Sequence, residues 1–170
     1  MRLIPTALIA AALPLVLAGP SHADTNFLSR FEGSYSGSGT VQREQDSSPR
    51  NVTCRVTGRT PSSNDIEIAG SCRAAVIVTR QIGASIRYDP DSQRFSGTYT
   101  GASRGPAQLR NGRLQGSTLV FDLVYPQVVH GDRNAVMRIT NSGNGQFTMQ
   151  VTDQVDGKPQ QTSNVTLSRG

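Results

Sequence analysis

Alternation of apolar and polar residues, repeated along most of the chain, is the feature that most constrains this fold. In one segment Tyr35, Gly37, Gly39 and Val41 alternate with serine and threonine. The same period of two recurs in about nine or ten short segments that turn sequences separate at hairpin spacing. A period of two is typical of a β-strand with one buried face. Residues 24–170 contain no convincing helical period, so the sequence predicts an all-β fold.

The order and spacing of these strands favour a barrel. Consecutive strands in such a meander usually pair with each other. An antiparallel up-and-down barrel of about 8–10 strands buries one face of each strand and removes the exposed edges. A two-sheet sandwich would show the same alternation, so the pattern leaves that alternative open. Asn111 and Gly112 give a strong signal for a two-residue hairpin turn.

The amino terminus has the organisation of a bacterial secretory signal peptide. Arg2 precedes an apolar run at residues 3–18, and residues 21–23 (Ser-His-Ala) form a small-x-Ala cleavage site. We expect a signal peptide at residues 1–23 that is cleaved after Ala23. The remaining residues 24–170 would then form a single β-barrel domain in the periplasm or the medium. The run is short for a membrane span, and no later segment is apolar enough to act as a membrane anchor.

Cys54 and Cys72 are the only cysteines, and they lie in consecutive predicted strands. If these strands pair antiparallel with residue numbers that sum to 126, Val56 faces Gly70 and Cys54 faces Cys72. Two cysteines in an exported chain indicate one disulfide, and this register predicts where it forms. Two thiolates without neighbouring histidine are only half of a zinc site, so we expect neither metal nor cofactor.

The basic residues are almost all arginine. Sixteen of the seventeen are Arg, and the formal net charge is +5. Because Arg suits phosphate and carboxylate geometry, one interpretation is an anion-binding surface. The alternative is a GC-rich coding bias, which the even spread of arginine along the chain favours. This spread predicts no nucleic-acid partner, and the oligomeric state stays open.

The segment Phe31-x-Gly33-x-Tyr35 follows residues 27–31, which can form one short helical turn that plugs an end of a barrel. This arrangement resembles the opening of the calycin barrels, the lipocalins and their relatives, which begin with a short helix and a Gly-x-Trp strand. Tyr35 stands in the place of that Trp, and the other lipocalin motifs are not recognisable. The resemblance implies that a basic residue near the last strand, here Arg169, covers the aromatic ring. It also implies a small hydrophobic ligand in the barrel mouth.

Five aromatic residues fall on the inward faces of the predicted strands. They are Tyr35, Tyr88, Tyr99, Phe121 and Tyr125. These side chains either pack in the core or line a ligand pocket in which phenolic hydroxyls orient the ligand. Arg43 also lies on an inward face, near a strand end, where it would pair with the head group of an anionic lipid-like ligand.

Residues 101–105 (Gly-Ala-Ser-Arg-Gly) match the Gly-x-Ser-x-Gly pattern of serine hydrolases, with Ser103 as the candidate nucleophile. That chemistry requires a strand–turn–helix elbow with a His and an acid downstream. Pro106 and a hairpin follow instead, and His130 is the one histidine beyond the predicted cleavage site. A chance match in a Gly- and Ser-rich chain explains the pattern, so we expect no catalytic residues and no enzyme.

These observations predict an exported, non-enzymatic β-barrel that binds a small apolar or amphipathic ligand. The alternative is a bacterial envelope structural or interaction protein with a filled core, including an inhibitor-like use of its loops. An empty apolar interior would favour the first function, and a filled interior would favour the second.

Overall fold

The computed structural model describes residues 23–75 and 78–170, which form a short helical segment and ten strands. Helix α1 (Ala23–Leu28) runs into a 3₁₀ turn at Ser29–Phe31. The strands are β1 (Gly33–Val41), β2 (Arg50–Ser62), β3 (Asp65–Ala74), β4 (Val78–Asp89), β5 (Arg94–Tyr99), β6 (Ala107–Gln115), β7 (Thr118–Val129), β8 (Asp132–Asn141), β9 (Gln146–Val155) and β10 (Lys158–Arg169). The predicted signal peptide lies outside the described residues, apart from Ala23, and its cleavage stays a prediction. No helix in the described part of the chain is both long and apolar enough to cross a membrane.

The ten strands form one closed antiparallel barrel in which consecutive strands are neighbours. β1 closes the barrel against β10, with Gly37 opposite Leu167 and Gly39 opposite Val165. Every described strand therefore has a partner on both sides. The predicted lipocalin-like, up-and-down barrel is confirmed, and the two-sheet sandwich is not formed.

The period of two in the sequence is the alternation of buried and exposed side chains along each strand. In β2, for example, Val52, Cys54 and Val56 are buried between exposed neighbours. The buried side chains of successive strands meet inside the barrel and form one continuous hydrophobic cluster. Burial of this apolar surface is the main force that holds the barrel together.

Two glycines of β1 allow the backbone of β10 to approach closely. A Cβ atom on Gly37 would lie 1.9 Å from the carbonyl oxygen of Thr166, and one on Gly39 would lie 2.0 Å from that of Asn164. Real Cβ atoms do not come this near to an oxygen atom. The closing contact of the barrel therefore requires glycine at both positions.

The disulfide joins Cys54 of β2 to Cys72 of β3. The two residues are directly opposite each other in the ladder, and Val56 lies opposite Gly70. Both cysteines are buried. The predicted disulfide and its register are confirmed.

Residues 23–31, which we call the plug, close one end of the barrel. Phe27, Leu28 and Phe31 are buried there. The rings of Phe31 and Tyr35 both meet the ring of Phe147 edge-on, at centroid distances of 5.3 and 4.8 Å. The helical turn that the sequence predicted is thus present and packs as an end cap.

Arg169 covers the ring of Tyr35, as the resemblance to the lipocalins implied. Its guanidinium carbon lies 5.5 Å from the ring centroid, within the range of a cation–π contact. Nη2 donates hydrogen bonds to the Glu32 carbonyl at 2.7 Å and to the Tyr35 hydroxyl at 3.0 Å. The Tyr35 hydroxyl donates in turn to the Arg30 carbonyl at 2.9 Å. These contacts fasten the plug to β1 and β10.

The predicted hairpin at Asn111 and Gly112 is wrong, because both residues lie inside β6. The pairing register of β6 shifts at this point toward both of its neighbours, which marks a bulge. Asn111 has a positive φ of 51°, and a Cβ on Gly112 would lie 2.3 Å from the ring of Phe121. The Asn-Gly pair supplies the backbone freedom and the space that a bulge needs. The turn itself comes later, at Gly116.

Candidate ligand site at the open end of the barrel

The end of the barrel opposite the plug is not covered by a helix in the described residues, and we call it the mouth. The longest loop there is the β1–β2 loop, at residues 42–49. It is tied to the β5–β6 loop by an ion pair between Glu44 and Arg104, whose charged atoms are 2.7 Å apart. Two cavities lie at this end, and the side chains of the two loops help to line them.

The larger cavity, which we call the mouth pocket, has a volume of about 150 Å³ and is partly open to solvent. Its lining is mainly apolar. Among the described residues, the apolar lining consists of Val41, Val52, Cys72, Ala74, Ala75, Val78 and Ile82. The ends of β1, β2, β3 and β4 supply most of these side chains, so the pocket lies inside the mouth end of four neighbouring strands.

A buried carboxylate organises the rim of the mouth pocket. The side chain of Asp46 is 2% exposed, although it sits in a loop. Arg43 holds it with two side-chain hydrogen bonds, Nε to Oδ2 at 2.9 Å and Nη2 to Oδ1 at 2.8 Å. Arg50 adds a contact of 2.8 Å to Oδ1. The hydrogen bond from Arg43, with smaller help from Arg50, holds the pKa of Asp46 well below its usual range against the opposing effect of burial.

The rim carries an excess of positive charge. Three arginines, Arg43, Arg50 and Arg80, line the mouth pocket together with the single carboxylate of Asp46. Arg80 forms no ion pair with a described residue. An apolar pocket with a basic rim is chemically suited to a ligand that has an apolar part and an anionic part.

The smaller cavity, which we call the polar recess, has a volume of about 50 Å³. Its polar centre is Asp153 of β9, which is 2% exposed. Tyr125 of β7 donates a hydrogen bond to Oδ1 at 2.9 Å, and Thr162 of β10 donates to Oδ2. Thr162 points inward because β10 has a bulge between Gln161 and Ser163.

Tyr99 of β5 also lines the polar recess, and only 5% of its surface is exposed. Its hydroxyl forms no hydrogen bond with the described residues. Burial, and to a smaller degree the charge of Asp153, raise the pKa of Tyr99 to about 12. The same causes raise the pKa of Tyr125 further. Both phenols are therefore neutral at physiological pH.

Of the six residues that the sequence predicted to bind a ligand, three line a cavity at the mouth and three do not. Arg43, Tyr99 and Tyr125 come together at the mouth, where all three line the polar recess. The other three line neither cavity and lie nearer the plugged end. These three are Tyr35, Tyr88 and Phe121. Tyr35 packs on Phe147, and the ring centroid of Tyr88 lies 4.8 Å from that of Phe95. Phe121 is 1% exposed. Ligand contact by any of the six stays a prediction.

Sequence reasoning missed Asp46, Arg50, Arg80 and Asp153. A signal was present for Asp153, because it continues the inward series of Phe147, Met149 and Val151 at a period of two. A carboxylate at an inward position is unusual enough to mark a site. Asp46 lies in the β1–β2 loop, and Arg50 and Arg80 lie at the mouth ends of β2 and β4. At these strand ends the alternation of buried and exposed residues is not yet established, so it does not indicate what the side chains contact.

Ser103 lies in the β5–β6 loop and His130 in the turn between β7 and β8. Both line the polar recess, but no hydrogen bond joins them within the described part of the chain. The loop after Ser103 leads into β6 and not into a helix. Among the described residues no group of His, Cys, Asp and Glu is arranged to hold a metal ion.

No protein-family model matches this chain, and no curated protein matches it.

Proposed function

We propose that this protein is an exported, non-catalytic binding protein whose mouth takes a small amphipathic anion. The apolar part of the ligand would enter the mouth pocket, and its anionic group would lie at the arginine rim. The observation that carries this proposal is the apolar pocket bordered by three arginines and one carboxylate. The disulfide supports export, because disulfides persist in oxidising compartments.

Arg80 would make the first contact with the anionic group. Arg43 and Arg50 already share Asp46, so an anion has to compete with that carboxylate for them. Arg80 has no such competitor among the described residues. Hydrogen bonds between a guanidinium and an anion are stronger than neutral ones and fix the orientation of the anion.

The volume of the mouth pocket limits the ligand. A cavity near 150 Å³ is about the size that accommodates a benzene ring. The pocket would therefore take an aromatic ring, a short branched chain or the end of a longer acyl chain, while the rest of a long ligand stays outside the barrel.

The packed interior favours a second candidate function. From the plug to the middle of the barrel the inward side chains are almost completely buried against one another. Such a core suits a structural or interaction protein of the bacterial envelope whose loops contact a partner. The two candidates differ in whether the mouth binds a small molecule.

A fluorescence titration with anilinonaphthalene sulfonate, which has apolar rings and one anionic group, tests the proposal. We expect saturable binding near one site per chain, with displacement by octanoate but not by octanol at the same concentration. Arg80→Ala should weaken binding about threefold or more, since partly exposed charge pairs have modest strength. Ala74→Phe should abolish binding, because the new ring fills the pocket.

The matched control is Arg113→Ala, which removes an exposed arginine of β6 that lines neither cavity. It should leave the dye affinity unchanged. If the dye does not bind, or if both arginine substitutions weaken it equally, the mouth pocket is not an anion site and the second candidate is favoured.

A further inference from the structure

We propose that the polar recess is a second subsite, which takes a protonated primary amine with Asp153 as its counter-charge. This subsite is distinct from the mouth pocket, since Asp153 and Tyr99 line only the recess. The proposal goes beyond the binding of an anion and does not require it.

Asp153 is a buried acidic residue that forms no ion pair with a described residue. It is 2% exposed, and both of its hydrogen bonds come from uncharged hydroxyls, those of Tyr125 and Thr162. Burying a carboxylate away from water is strongly unfavourable unless a counter-charge is present. Arg43 and His130 also line the recess, but neither forms an ion pair with Asp153. Asp46 occupies both Nε and Nη2 of Arg43.

A purely structural role does not require a charge at this position. A neutral amide or hydroxyl oxygen could accept a hydrogen bond from Tyr125 or Thr162 without the penalty of a buried carboxylate. The carboxylate also keeps unused capacity, because each of its oxygens has accepted one hydrogen bond and can accept another. The carboxyl group of Asp153 is therefore buried, held by two hydroxyls, and still has free acceptor sites.

Tyr99 supplies an independent sign of a ligand. Its side chain is more than nine-tenths buried, it lines the recess, and its hydroxyl has no hydrogen-bond partner among the described residues. An ammonium group has three N–H donors and no acceptor. The two oxygens of Asp153 and the hydroxyl oxygen of Tyr99 offer a matching set of acceptors.

The polar recess is large enough for an ammonium group. A cavity needs roughly 10–15 Å³ to hold one water molecule, and the recess has about 50 Å³. It therefore has room for a few non-hydrogen atoms, such as an ammonium group with its first carbon atoms. The rest of the ligand would leave through the mouth, past Val41, Arg43 and Ser103, which line both cavities.

An NMR titration of the ¹⁵N-labelled protein with n-hexylammonium chloride at neutral pH and constant ionic strength tests the proposal. We expect saturable shifts of the amide signals of Tyr99, Asp153 and Thr162. Hexanol and hexanoate have the same chain length, and both should bind this set of residues at least tenfold more weakly. Equal binding of hexanol would overturn the proposal, because the recess would then recognise the alkyl chain and not the charge.

Two substitutions locate the interaction. Asp153→Asn should weaken hexylammonium binding at least tenfold, whereas Asp122→Asn, on the exposed face of β7, should leave it unchanged. If Asp153→Asn does not fold, Tyr99→Phe decides the question, since it removes a hydroxyl that has no described partner. It should weaken binding severalfold with unchanged stability, and unchanged binding would refute the proposal.

The two proposals fail separately. Loss of hexylammonium binding together with normal binding of anilinonaphthalene sulfonate would overturn the amine subsite and leave the anion pocket standing. Hexylammonium binding that depends on Asp153, together with no binding of the dye, would support the amine subsite and overturn the anion pocket.

Discussion

Removal of the disulfide between Cys54 and Cys72 should destabilise the barrel by an amount that follows from its position in the chain. The two cysteines are 18 residues apart. For a loop of this size the chain-entropy relation gives a loss of about 3 kcal/mol at room temperature, because the reduced unfolded chain is less restricted. In a domain of this length that loss lowers the melting temperature by about 6–12 °C. The difference in the free energy of unfolding can be measured by urea unfolding of two samples. One is the oxidised protein, and the other is protein that was reduced while unfolded and then refolded in reductant.

The double variant Cys54→Ala/Cys72→Ala is the control, since reductant should not change its unfolding midpoint. The oxidised native protein should also take up no thiol-alkylating label. The denaturant dependence of the free energy should be steeper for the reduced protein, whose unfolded state is more expanded. Equal midpoints for oxidised and reduced wild-type protein would refute the reasoning, as would labelling of both cysteines in the native state.

Substitution of Gly39 by Ala should destabilise the barrel by about 1–3 kcal/mol or more, because the new methyl group overlaps the backbone of β10. Thermal unfolding measures this loss, and Ser38→Ala, on the exposed face of the same strand, should stay within about 0.5 kcal/mol of the wild type. The free energy of unfolding should fall as the pH rises above 10, the ordinary pKa of tyrosine, because the unfolded chain then loses the Tyr99 proton that the folded chain keeps until about pH 12. Tyr99→Phe should remove part of this fall in urea unfolding at high pH, and an identical pH dependence in the two proteins would show that Tyr99 is not protected by burial.

Several features of the fold could be read from local sequence. The period of two fixes which side chains of a strand point inward, and a short hairpin fixes which residues of its two strands are neighbours. For this reason the pairing of Cys54 with Cys72 was predictable to the residue. The buried helical turn before β1 and the contact of Arg169 with Tyr35 followed from the resemblance to lipocalins.

The Asn111–Gly112 pair shows where local reading fails. The same residues that permit a tight turn also permit a bulge, and the local sequence does not distinguish the two. The bulge forms because Gly112 packs against the ring of Phe121 and because β6 pairs with both β5 and β7 at this point. These neighbours come from elsewhere in the chain.

The candidate site depends even more on tertiary structure. The alternation of residues places Tyr35, Tyr88, Tyr99, Phe121 and Tyr125 inside the barrel, and all five are buried there. It does not set their height along the barrel axis, which depends on how the strands are staggered around the closed sheet. That stagger leaves Tyr99 and Tyr125 beside a cavity at the mouth and packs the other three rings into the filled end.

The sequence by itself determined the strands, the inward faces and the disulfide, because these depend on residues that are close along the chain. Only the closed barrel brings Tyr125, Asp153 and Thr162 together in one buried cluster, because they come from three different strands. It also decided that Asp46 turns inward between Arg43 and Arg50, although it lies in a loop. The physical reason is that a buried charge must find its partners in space, and the partners available at the mouth are fixed only when β1 and β10 close the ring.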